Sequence, residues 1–71
     1  MHRIDLRGGW VLEITPVDDL TVECVVLQPV DNGQEGEYHA IFADIRPSAP
    51  FVQTHKEWGE MIQKGFEEGN L

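Results

Sequence analysis

The hydrophobic period of this chain changes once, and that change constrains its fold more than any other feature. From Trp10 to Ile45 apolar residues recur at every second position, the pattern of strands with one buried face. From Thr54 onward they recur at helical spacing.

Trp10, Leu12 and Ile14 form the first even-numbered apolar set, with Glu13 and Thr15 turned outward. Pro16-Val17-Asp18-Asp19 supplies turn chemistry, since proline presets φ and aspartate tolerates unusual backbone geometry. Leu20, Val22, Cys24 and Val26 continue the even-numbered face. A three-residue loop from Val17 to Asp19 pairs Ile14 with Val22 and Leu12 with Cys24, so both apolar sets meet on one side. Asn32-Gly33 is the preferred dipeptide of a two-residue type I′ turn. Taken literally, it pairs Asp31 with Gln34, Cys24 with Ile41, Val22 with Ala43 and Leu20 with Ile45. Pro29 then faces Gly36, a combination that frays or bulges a ladder. Ile4 and Leu6 share the parity of Trp10, which predicts one long strand kinked at Gly8-Gly9, with residues 1–8 as an N-terminal arm.

Pro47 and Pro50 close the third strand and open a connector. Thr54-His55-Lys56-Glu57 has the form of a capping box, with Thr54 as N-cap. Trp58, Ile62 and Phe66 follow four residues apart, flanked by Met61 and His55; Lys56, Glu60, Gln63, Lys64 and Glu67 read as the solvated side. Gly65 predicts close packing on the sheet, and Gly69-Asn70 a helix stop. The expected class is α+β: a three-stranded antiparallel meander with one C-terminal helix on one face, β-β-β-α. That helix is expected to cover Leu12, Ile14, Val22, Cys24, Val26, Ile41 and Ala43.

Seventy-one residues suffice for one small domain, 1–71, whose limited core favours a partner or self-association. Cys24 is the only cysteine, so no disulfide forms within the chain, and a reducing compartment fits. The charged N-terminal residues predict no signal peptide, and no apolar run is long enough to span a bilayer, so a cytoplasmic protein is expected. The net charge of −8 disfavours direct nucleic-acid binding and anionic membranes, while permitting a basic protein partner.

Two features exceed what a core requires. The outward strand positions Val25, Leu27, Tyr38, Ala40 and Phe42 form an apolar group where a solvated face would be polar. Asp31, Glu35, Glu37, Glu67 and Glu68 are expected to gather as an acidic pole near the helix C-terminus, where the macrodipole disfavours them. No catalytic, phosphate-binding or calcium motif is present, and no cofactor or metal is expected. These features predict a non-catalytic protein-binding module. It either self-associates, as a homodimer, or acts as an acidic inhibitor or adaptor on a partly basic protein, in its sharpest form by occupying a nucleic-acid-binding surface. The competing class is a ligand-binding or enzymatic oligomer with Cys24, His39 and His55 in a site between subunits.

Overall fold

The computed structural model describes residues 1–30, 36–48 and 52–70. The chain is α+β, with four strands where three are expected: β1 (His2–Asp5), β2 (Val11–Pro16), β3 (Thr21–Pro29) and β4 (Tyr38–Pro47), then one helix, α1 (Val52–Glu67). They form one antiparallel sheet in sequential order, with β1 and β4 at its edges.

The additional strand is the N-terminal arm. Gly8 and Gly9 do not kink a continuous strand; they reverse it through a tight turn at Arg7–Gly9, with φ of 71° and 82° that side-chain-bearing residues rarely adopt. His2 then pairs with Ile14 and Ile4 with Leu12. Even residues pair with even residues here, so the hairpin buries the same side chains that a kinked strand would have buried.

The β2–β3 register is displaced by two residues from the expected one, with Ile14 opposite Cys24 and Leu12 opposite Val26. The turn is therefore Asp18 to Leu20, and Leu20 is exposed rather than inward. Asp18 Oδ1 accepts from Leu20 N and Thr21 N, both at 2.8 Å, and from Thr21 Oγ1 at 2.9 Å. These bonds, the one from the Leu20 backbone foremost, hold the Asp18 carboxyl below its usual pKa.

The β3–β4 register changes more. Pro29 pairs with Tyr38 rather than Gly36, a displacement of two that preserves parity. A β-bulge opposite Val26/Leu27 then inserts one further residue, and Cys24 faces Asp44 rather than Ile41. That single residue turns every later β4 side chain to the opposite face. Phe42, Asp44 and Arg46 consequently share the inner side with Val26, Cys24 and Val22, while Ala43 and Ile45 point outward. Ala43 does not join the helix-covered face, although Ile41 packs partly against the core. The Asn32-Gly33 turn lies outside the described residues.

The prolines fit this ladder. The bonds Leu6 N→Trp10 O and Val17 N→Thr21 O fix the phase, so Pro16 and Pro29 turn their nitrogens past the ends of the neighbouring strands, where no acceptor waits.

The helix starts at Val52, so Thr54 lies within its first turn instead of capping it. Its buried stripe is His55, Trp58, Gly59, Ile62 and Gln63; Met61 is exposed. Gln63, expected outside, is 1 % exposed and donates Nε2 to the Arg7 carbonyl at 2.7 Å, tying the helix to the β1–β2 turn. The sheet contact falls at Gly59, where an added Cβ would lie 3.2 Å from Leu12 Cδ2. At the C-terminus the predicted stop is realised. Gly69, with φ of 76°, donates to Phe66 O, and Asn70 N donates to Gly65 O at 2.7 Å, which closes a Schellman motif. Beneath the helix, Leu12, Cys24 and Val26 are completely buried, with Leu6, Trp10, Ile14, Val22, Trp58 and Ile62 around them.

Candidate functional site

The helix covers one side of the sheet and leaves the other without a second layer among the described residues. Cross-strand pairing arranges that outer face in rows. Val11, Leu27 and Ala40 form one; Glu13, Val25 and Ala43 the next; Thr15, Glu23 and Ile45 the third. Pro29 and Tyr38 extend the group at the opposite end. Of the five outward residues predicted from sequence, Val25, Leu27, Tyr38 and Ala40 lie on this face. Phe42 does not: the bulge turns it inward, where its ring meets Trp58 at 6.0 Å. The same shift adds Ala43 and Ile45, which alternation alone had assigned inward.

Exposure across the face is graded. Val11 and Leu27 are 5 % and 9 % exposed although no element among the described residues lies over them. Long side chains from the edges account for this. Arg3 of β1 bonds Glu13 through Nε at 2.8 Å and Nη2 at 2.7 Å, and its guanidinium lies 5.9 Å from the Tyr38 ring of β4. Side chains of the two edge strands thus meet over the central pair, with arginine methylenes and a tyrosine ring shielding apolar surface. Along the β4 side of the face no such cover exists among the described residues. Ala40, Ala43 and Ile45 are exposed, Ile45 to 53 %, with Glu23 exposed beside them.

Of the residues expected to form an acidic pole, Glu67 has a counter-ion. Asp31 and Glu35 lie outside the described residues, and Glu37 is exposed next to the last β3–β4 backbone bond. Glu67 pairs with Arg7 at 2.9 Å, and Glu68 accepts from Asn70 Nδ2 at 3.4 Å. The Arg7 cation offsets part of the unfavourable carboxylate–macrodipole contact, so the helix C-terminus is less strained than sequence predicts.

The Cys/His set separates. Cys24 Sγ and His55 Nδ1 approach to 4.0 Å inside the core, but His39 is exposed on β4. Burial pushes the Cys24 thiol above its ordinary pKa; Arg46 opposes that shift, while Asp44 and Glu23 reinforce it. Burial and then Arg46 push the His55 imidazole below its own. Both groups are therefore held neutral, the reverse of the thiolate–imidazolium state that activates a cysteine nucleophile. Arg46 stacks its guanidinium 4.9 Å from the Trp58 ring centroid, with a buried Nε that has no acceptor among the described residues. Among the described residues no cavity opens beside the pair, and no three His, Cys, Asp or Glu side chains are placed to hold a metal. No helix described is long and apolar enough to cross a membrane.

Compared with protein-family models, with curated proteins and with solved structures, the chain matches none.

Proposed function

We propose that this protein is a non-catalytic binding module whose outer sheet face docks on the basic surface of a larger protein. One observation carries the reading: the β4 side of the face, with Ala40, Ala43 and Ile45, stays apolar and exposed while Val11 and Leu27 on the central strands are shielded beneath Arg3 and Tyr38. Exposed apolar groups of this kind, bordered by polar residues, mark contact surfaces.

Charge selects the partner. Glu13 and Glu23 interrupt the apolar rows, Arg3 is already engaged by Glu13, and the chain carries a net −8. A second copy laid on this face would bring like charges together, whereas a basic surface gains attraction and faster encounter. A protein whose basic surface normally holds nucleic acid is the sharpest form of such a partner. The neutral, enclosed Cys24–His55 pair supports the non-catalytic assignment over a site between subunits.

The test is affinity capture from source lysate, with wild-type protein and an Ala40→Lys/Ile45→Lys variant in parallel. Both substitutions fall at exposed outward positions and leave the core untouched. The expected result is a basic protein retained by wild type, lost with the variant and released by salt. Equal retention by both proteins would remove the outer face as the docking surface.

A further inference from the structure

The outermost strand of an open sheet presents unpaired backbone groups that invite another strand. Among the described residues β4 is the longest strand and pairs on one side only. Ser48 N donates to Leu20 O at 2.8 Å, which fixes the phase of the ladder beyond the bulge. Phe42, Asp44 and Arg46 turn their N–H and C=O groups toward β3, so Ala43, Ile45 and Pro47 turn theirs toward the free edge.

That edge is already occupied at one place and blank at another. Ile45 N donates to Asp44 Oδ1 at 2.9 Å, and Pro47 has no N–H. Asp44 stands on the inner side of β4 opposite Cys24, a buried thiol, yet its own side chain is exposed and curls around the edge. A carboxylate offers nothing to the core at that position. It does take the donor that an incoming strand would need, and it places a charge in that strand's path.

We infer that Asp44 guards the free edge of β4, keeping a second copy of this chain from adding to the sheet. Between the bulge at one end and Pro47 at the other, Ala43 is left as the only free N–H on this stretch of edge. Partners consequently meet the protein across the outer face and not by strand addition.

Solution mass by light scattering, followed to the highest soluble concentration, tests this in four proteins. Wild type should remain at the monomer mass of 8.1 kDa. Asp44→Ala, which frees the Ile45 N–H, should shift toward twice that mass as concentration rises. Asp44→Asn keeps an acceptor oxygen and should stay near the wild-type value. Adding Ala43→Pro to Asp44→Ala returns this stretch of edge to a single free donor, now Ile45 N–H, without touching the β3 ladder, and should restore the monomer. The guard role is overturned if Asp44→Ala, shown folded by circular dichroism, stays monomeric. It is equally overturned if Asp44→Asn associates as strongly as Asp44→Ala, or if Ala43→Pro leaves the association intact.

Discussion

Replacing Gly59 by alanine tests how the helix is held on the sheet. In an exposed helix this change stabilises by about 1 kcal/mol, because glycine loses more backbone entropy on folding. At this site the added methyl would stand 3.2 Å from Leu12 Cδ2 and 3.6 Å from Leu12 Cβ and Cδ1. Leu12 is completely buried, so its side chain yields only by displacing neighbours. Overpacking of that kind costs about 1–3 kcal/mol. The two effects leave Gly59→Ala between roughly neutral and about 2 kcal/mol destabilised. Leu12→Val alone should cost about 1 kcal/mol, the loss of one buried methylene and a small void. In the double variant the alanine methyl occupies the space vacated by the leucine tip. The overpacking term then disappears, and stability should return to within about 1 kcal/mol of wild type, a coupling of about 1–3 kcal/mol. Urea unfolding followed by fluorescence of the buried Trp10 and Trp58 measures all four corners of the cycle. Additivity within about 0.5 kcal/mol would refute the contact. So would a full helix-propensity gain from Gly59→Ala alone.

Two titrations bracket stability from opposite sides. His55 has a folded pKa below its ordinary 6.5, so the unfolded chain binds its proton first. Stability should therefore be complete above pH 6.5 and fall as pH drops toward the folded pKa, by at most about 1.4 kcal/mol per pH unit. His55→Gln should flatten that slope in pH-dependent urea titrations; an unchanged slope would assign it to other groups. Cys24 has its folded pKa raised above 9.0, so its contribution should be present below pH 9.0 and decline above it, a decline that Cys24→Ala abolishes. The native thiol should react slowly with a disulfide reagent and completely in denaturant; rapid native reaction would show that the core opens at β3.

The parts of this fold that were legible in the sequence are those governed by parity alone. Alternation along β2 and β3 placed Leu12, Ile14, Val22, Cys24 and Val26 on one face, and a register error of two residues left that face intact. The β1–β2 hairpin was hidden for the same reason. Ile4 and Leu6 present the same parity whether the glycines kink a strand or reverse it. Alternation fails where a single residue is inserted, and the run Ala40-Ile41-Phe42-Ala43, unbroken by polar residues, carries no mark of which one is extra. The outer face was thus found in outline but misassigned at Phe42, Ala43 and Ile45. On the helix, residue type misled where position did not. Gln63 follows Gly59 by four residues and His55 by eight, squarely on the buried stripe, and only its amide suggested solvent. Its burial depends on the Arg7 carbonyl, fifty-six residues away, which accepts from its amide. The tie between Arg3 and Tyr38 is likewise long-range and has no local signal.

The proposed docking face and the inferred edge guard both rest on the bulge that turns Phe42 inward, and nuclear Overhauser contacts from Trp58 test that directly. The bulged register predicts cross-peaks from the Trp58 indole to the Phe42 ring, whose centroids are 6.0 Å apart, and to the Arg46 side chain stacked above it. The Ala43 methyl should give none. Contacts from Trp58 to Ala43, with Phe42 silent, would restore the unbulged register. They would also contradict the outer face, the position of Asp44 and the function built on them.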